Sequence, residues 1–361
     1  MERKIIHKES TSVGKYSGHN DDSLFIGEDY VAVIDGVSHK SSILYNGQEI
    51  KIADIITEAI RRLDGTNFAE GLEFGDFVKY INRYIERYLT KIGRPEEIGK
   101  LEATGVVYSR HLNQIWLVGD CRAIYDGTAI TNPLKIDDVV IDIRIKIIEA
   151  LLKEGYTRRE LEKCDISKQI IQNPDSIKDF IKSKKLIEKV QQYRDQRIRQ
   201  ALLECGFTEE EIKEEDLIHK YANPRDLQEY LKNNPCANEY GYAIFNGRYT
   251  ETKNCKVVQL PDNVKIIKLF SDGFSVDALS SDKDVGQALI HMWEKAKKDP
   301  LSIKCNRATH PAKKYNRRIP VERAIDDRTA VIIEIRRDDK RRDERRKIER
   351  SLEDNDLDER W

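Results

Sequence analysis

Val31-Ala32-Val33-Ile34-Asp35-Gly36 is a short apolar run that stops on an acid and a glycine. Four apolar residues in a row read as a buried strand, and Asp-Gly reads as the turn that ends it. The same grammar recurs along the chain. Residues 264–270 run into Ser271-Asp272-Gly273, and residues 114–118 run into Gly119-Asp120. In reverse order, Asn20-Asp21-Asp22-Ser23 precedes a strand, and Asp326-Asp327 precedes the apolar stretch 329–335. Carboxylates at the ends of neighbouring strands converge on one spot. Like charges gathered there need compensation. A divalent cation supplies it, and carboxylate oxygens suit Mg²⁺ or Mn²⁺. A glycine after the acid lets the backbone carbonyl or a water approach such an ion closely.

Around these strand ends the chain alternates between two periods. Residues 51–64 and 76–92 carry helical periodicity. In the second, Phe77, Tyr80, Ile81, Tyr84, Ile85, Tyr88 and Leu89 recur at i, i+3, i+4, which predicts core packing. Residues 105–109 and 114–118 read as strands. Residues 240–245 followed by Asn246-Gly247 predict a hairpin, and residues 286–298 a helix.

Residues 134–237 differ: they are strongly charged and hold only Gly155 and Gly206. They also repeat. Ala150-Leu151-Leu152-Lys153-Glu154-Gly155-Tyr156-Thr157 matches Ala201-Leu202-Leu203-Glu204-Cys205-Gly206-Phe207-Thr208. In each copy glycine supplies a left-handed helix end. Thr then caps the next helix, with Glu three residues on. Asn173-Pro174 and Asn223-Pro224 break that helix in turn. The stretch therefore predicts two helical units of roughly 50 residues, too few for a free solenoid and so leaning on the main domain.

With 63 basic and 64 acidic residues there is no global positive field, which argues against a general nucleic-acid binder. At 39% hydrophobic, the chain has enough apolar residues for a sizeable core despite its 35% of charged residues. No apolar run approaches the ~18 residues of a membrane span, and the start does not read as a signal peptide. The six cysteines show neither C-x-x-C nor zinc spacing, which predicts free thiols in a reducing cytoplasm. No G-x-x-x-x-G-K, G-x-G-x-x-G, H-E-x-x-H or G-x-S-x-G occurs, so nucleotide-loop, zinc-protease and serine-hydrolase chemistries lack support. Residues 336–361 form a charged tail, basic in its first part and acidic in its last.

Taken in order, Asn20-Asp21-Asp22-Ser23, Asp35-Gly36, Gly119-Asp120-Cys121-Arg122, Ser271-Asp272-Gly273 and Asp326-Asp327-Arg328-Thr329 resemble the motif series of the metal-dependent protein phosphatases of the 2C family, bacterial type. The resemblance covers roughly residues 10–132 and 238–335. It implies an α+β fold, a four-layer α-β-β-α sandwich of two antiparallel sheets flanked by helices. A catalytic domain over 1–335 would be interrupted by the all-α insertion 134–237. It further implies two Mn²⁺ or Mg²⁺ ions. Asp35 would bridge them, Asp21 and the Gly36 carbonyl would complete one site, and Asp272 and Asp326 would hold the other. Asp120 stands where some members bind a third ion, and Asp22 and Asp327 would support the ligands through hydrogen bonds.

The sequence also departs from the family pattern. Val37-Ser38-His39 replaces a second glycine pair, and Ser17 stands where many members carry a phosphate-binding arginine. Lys15, His19 and His39 are the nearby alternatives. The implied activity is hydrolysis of phosphoserine or phosphothreonine in a protein by a metal-activated water, in the cytoplasm. The helical insertion would dock substrate or a partner. The competing readings are a phosphatase-like scaffold with little turnover and a hydrolase of small phosphorylated metabolites.

Overall fold

A computed structural model describes residues 3–13, 20–37, 40–132, 135–156, 184–221, 224–234, 240–273 and 328–337. Twelve strands and seven α-helices lie in these residues. The strands are β1 (Arg3–Val13), β2 (Ser23–Ile26), β3 (Tyr30–Gly36), β4 (Ser42–Tyr45), β5 (Gln48–Lys51), β6 (Ala103–Ser109), β7 (Gln114–Val118), β8 (Arg122–Tyr125), β9 (Thr128–Ile130), β10 (Lys256–Gln259), β11 (Ile266–Phe270) and β12 (Arg328–Arg337). Two five-stranded antiparallel sheets form, in the orders β1-β12-β11-β8-β9 and β10-β7-β6-β3-β2. β12 runs two residues into the stretch read as a charged tail.

β3 explains the sandwich. Its side chains alternate, so Val31 and Val33 enter the core between the sheets, with Val106, Leu117, Leu269 and Val331. Tyr30, Ala32 and Ile34 face the other way, into a core under the helices α1 (Ile52–Leu63) and α2 (Phe74–Lys91). A strand covered on both faces has no polar alternation, which is why this run is wholly apolar. On α2, Phe77, Ile81, Ile85 and Leu89 are buried and Tyr80, Tyr84 and Tyr88 line the margin, as the periodicity predicts. Trp116 packs against Phe77, Phe74 and Tyr30 with ring centroids 4.9–6.1 Å apart. The described residues thus give two sheets with flanking helices. The helix predicted over 286–298 lies outside them.

A second helical group comprises α3 (Lys135–Lys153), α4 (Lys184–Glu204), α5 (Glu209–Glu214), α6 (Leu217–Lys220) and α7 (Pro224–Leu231). Its repeat is visible in the backbone. Gly155 and Gly206 both have positive φ, +90° and +98°. The Tyr156 and Phe207 amides donate to the Leu151 and Leu202 carbonyls, each at 3.1 Å, the six-to-one bond of a Schellman end. Thr208 and Glu211 form the reciprocal capping box. The corresponding Thr157 lies outside the described residues.

The two Asn-Gly dipeptides behave differently. Asn46-Gly47, with φ of 50° and 77°, turns the hairpin β4–β5. Asn246-Gly247 makes no hairpin, contrary to the expectation. Residues 240–245 instead form isolated bridges, Phe245 to Ala103 and Tyr242 to Lys232. The Gly247 amide donates to Asn82 Oδ1 at 3.0 Å, so a tertiary partner takes the place of a cross-strand ladder. Alternate residues of this extended piece enter two cores. Tyr240, Tyr242 and Ile244 join the helical group, whereas Ala243 and Phe245 join the core under α1 and α2.

Candidate active site

Antiparallel pairing puts Ser23 opposite Ile34, so the acids before β2 meet the end of β3. There Gly36 lies against Asp21. A Cβ on Gly36 would stand 2.7 Å from both the Asp21 carbonyl oxygen and Ser41 Cβ, a gap that only glycine fits. The Ser41 hydroxyl donates to Asp21 Oδ1 at 2.6 Å, and both residues are buried. The Asp22 amide donates to Asn20 Oδ1 at 2.9 Å, which fixes the turn into β2.

On the neighbouring strand, Thr104 is the register partner of Asp35, and Ala103 that of Gly36. Thr104 also touches the next motif. Its hydroxyl makes a long contact, 3.5 Å, with Asp120 Oδ1. Gly119 has φ +82°, and a Cβ there would come within 2.3 Å of the Thr104 methyl. Beside them lies the fully buried Cys121. Burial pushes its thiol well up, and the charges of Asp35, Asp120 and Asp22 push it further. Its sulfur lies 3.6 Å from the same Thr104 hydroxyl.

Asp272 belongs to the other sheet, at the end of β11, and is half-buried. A run of small polar groups ties it to the first cluster. Asn20 Nδ2 donates to Ser12 Oγ at 2.6 Å, and Ser12 Oγ shares a hydrogen with Thr329 Oγ1 at 2.8 Å. The Thr329 amide donates to Ser271 Oγ at 3.0 Å, and the Ser271 amide donates to the Thr329 carbonyl at 2.9 Å. Ser271 and Thr329 are fully buried. The non-acidic members of three motifs, Asn20, Ser271 and Thr329, are therefore linked through Ser12, and they hold Asp21, Asp22 and Asp272 at one end of the sandwich. Asp326 and Asp327 lie outside the described residues, as do Lys15, Ser17, His19 and His39.

Among the described residues no three His, Cys, Asp or Glu side chains already form a metal-holding group. The donors fit a hard cation in kind: carboxylates and the Gly36 carbonyl are oxygen ligands. Ser12, Ser41 and Thr104 have no sequence signal of their own. Each acts through a partner remote in the chain.

No protein-family profile matches the sequence, and no curated protein matches it. Among solved structures, the chain resembles bacterial serine/threonine phosphatases of the 2C type over most of its length, at low identity. One is the serine/threonine phosphatase PstP/Ppp of Mycobacterium tuberculosis, 13% identical over 92% of this chain and 99% of that one, with a TM-score of 0.41. A second is the catalytic domain of PstP in complex with two manganese ions, 12% identical over 92% and 99%, TM-score 0.42. Stp1 of Staphylococcus aureus is 10% identical over 93% and 98%, TM-score 0.41.

Proposed function

We propose that this chain is a Mg²⁺- or Mn²⁺-dependent phosphomonoester hydrolase acting on phosphoserine or phosphothreonine in a protein. The observation that carries the reading is the meeting of three acid-bearing segments: Asp21 packs on Gly36, Asp35 pairs with Thr104, and the Thr104 hydroxyl touches Asp120. In this reading Asp35, Asp21 and the Gly36 carbonyl hold one ion, and Asp272 and Asp326 hold a second. Asp120, with Asp272 shared, would hold a third. Bound ions would lower the pKa of a coordinated water and offset charge on the phosphoryl oxygens. The chain's own part is orientation. Ser41 holds the Asp21 carboxylate, Thr104 sits between Asp35 and Asp120, and the Asn20–Ser12–Thr329–Ser271 chain sets the spacing between the two sheets' acids.

We read residues 1–335 as the catalytic domain, 134–237 as its insertion and 336–361 as a tail. The insertion is the candidate docking surface for the phosphorylated protein. Removing it should depress turnover of a protein substrate far more than that of a small aryl phosphate. Equal loss on both would overturn the docking role. No helix among the described residues is long and apolar enough to cross a membrane.

Ser17, where related enzymes carry arginine, favours the second reading, a scaffold that binds a partner with little turnover. Turnover separates the two. Para-nitrophenyl phosphate and a phosphothreonine peptide are assayed with Mn²⁺, with EDTA, and with Asp272→Asn. The phosphatase reading expects Mn²⁺-dependent hydrolysis that falls at least about 100-fold in the variant, the scale of losing one electrostatic stabiliser. Wild-type turnover equal to the variant's supports the scaffold.

A further inference from the structure

Where the helical group meets the sandwich there is a cleft of about 550 Å³, and its charged lining closes into a ring. Lys40 and Glu102 come from the sandwich; Glu229 and Lys232 come from the end of the helical group. Lys40 Nζ stands 3.2 Å from Glu102 Oε1 and 2.5 Å from Glu229 Oε2. Lys232 reaches Glu102 and stands 2.7 Å from Glu229 Oε1. Each cation thus touches both anions. Two members of the ring are nearly buried: the Lys232 side chain is 9% exposed and that of Glu102 5%.

The backbone of Glu102 does a second job. Its amide donates to the Lys40 carbonyl at 2.8 Å, and its carbonyl accepts from the Val37 amide at 3.0 Å. The Lys40 amide donates to the Val37 carbonyl at 2.9 Å. One residue therefore bonds to both Val37 and Lys40, just after Asp35-Gly36. The next two residues, Ala103 and Thr104, are the register partners of Gly36 and Asp35. A buried carboxylate stripped of a cation is costly to keep in place, so the position of Glu102 depends on Lys232.

We infer that Lys232 is a positioning residue for Asp35. Through Glu102 it holds Val37 and Lys40 at the start of β6, and so couples the helical group to the candidate metal site. A ligand on α7 that shifts Lys232 would change cation affinity at Asp35, and a cation there would change the affinity of that ligand by the same factor. The inference rests on the proposed reading only in taking Asp35 as a metal ligand. The mechanical link stands apart from it.

The test uses the full chain, first without metal. Hydrogen exchange is followed by mass spectrometry in Lys232→Met, Lys232→Arg and Arg199→Ala, the last removing an exposed ion pair with Glu209 in the same helical group. Lys232→Met should speed exchange about tenfold in peptides covering Val37, Lys40 and Glu102 and leave α1 unchanged. A tenfold effect lies inside the usual range of coupling between sites. Lys232→Arg should restore protection, and Arg199→Ala should have no effect there. Glu229→Gln, at the half-exposed corner of the ring, gives a milder change of the same sign should Lys232→Met fail to fold. Mn²⁺ titration by calorimetry should then show about tenfold weaker binding in Lys232→Met, recovered in Lys232→Arg. Unchanged exchange at Val37 and Lys40, or equal acceleration throughout the chain, overturns the link. A wild type that binds no Mn²⁺ overturns the metal reading, while the exchange result still decides the link.

Discussion

β3 starts beside a buried acid, Asp29, and stops on a half-buried one, Asp35, and the two ends are built differently. At the start, Asp29 meets Arg110 Nη2 at 2.5 Å, His111 Nε2 at 2.7 Å and the Gly65 amide at 2.8 Å. Burial alone would raise the Asp29 carboxyl; the Arg110 hydrogen bond, the Gly65 amide and the His111 charge outweigh it and lower it. Asp64 accepts the amides of Glu28, Asp29 and Tyr30, and leaves room there only for Gly27. At the stop, hydroxyls of Ser41 and Thr104 meet Asp21 and Asp120, and the acids crowd one thiol. An acid clasped by guanidinium and imidazole closes a turn. Acids that share one place with hydroxyls suit an added cation. Burial of a carboxylate is therefore a poor guide to function until its partners are named.

The contrast makes four predictions, the largest first. Arg110→Ala leaves Asp29 buried without its guanidinium and should cost about 3–5 kcal/mol in urea unfolding. Asp35→Asn, measured in EDTA, should cost under ~0.5 kcal/mol, because it removes one of several like charges. Equal losses at the two ends would break the contrast. Mn²⁺ at a hundred times its dissociation constant should then stabilise the wild type by about 2.7 kcal/mol. That gain should vanish in Asp35→Asn and survive in Arg110→Lys, read by thermal melts. Thr329→Val cuts the polar chain between the sheets and should cost about 1 kcal/mol, with a matching loss of Mn²⁺ affinity. Stability lost without any change in affinity would make that chain structural only.

The smallest effect is on acid stability. A lowered Asp29 pKa contributes stability that is present above the ordinary carboxylate value, 3.8, and lost as pH falls through the folded value. The urea midpoint of the wild type should therefore fall below pH 3.8, and Asp29→Asn should flatten that part of the curve. Parallel curves for the two proteins would show that the clasp at Asp29 contributes nothing.

Much of this was legible where local rules suffice. The apolar run 31–34 gave β3, the i, i+3, i+4 stripe gave α2, and glycine followed by Thr-x-x-Glu gave the end of α4 and the capping box at Thr208. Asn246-Gly247 misled because hairpin chemistry needs two strands to join, and Asn82 and Ala103 supply competing partners from 165 and 142 residues away. Asn46-Gly47, between Ile43-Leu44-Tyr45 and Ile50, had the better context. In the site, the acids and Gly36 stood out because they end apolar runs. Ser12, Ser41, Thr104, Glu102 and Lys232 did not, since a hydrogen bond or ion pair spanning up to 317 residues leaves no mark on nearby sequence. The Asp29 clasp was missed for the same reason.

The extended piece 240–245 sets its even-numbered residues into one core and Ala243 and Phe245 into another. Peeling the helices away would pull on the same backbone that plugs the floor beneath α1 and α2. The two cores are thereby riveted, and heat should melt them in one cooperative calorimetric transition, with no plateau in which the helices alone have come apart.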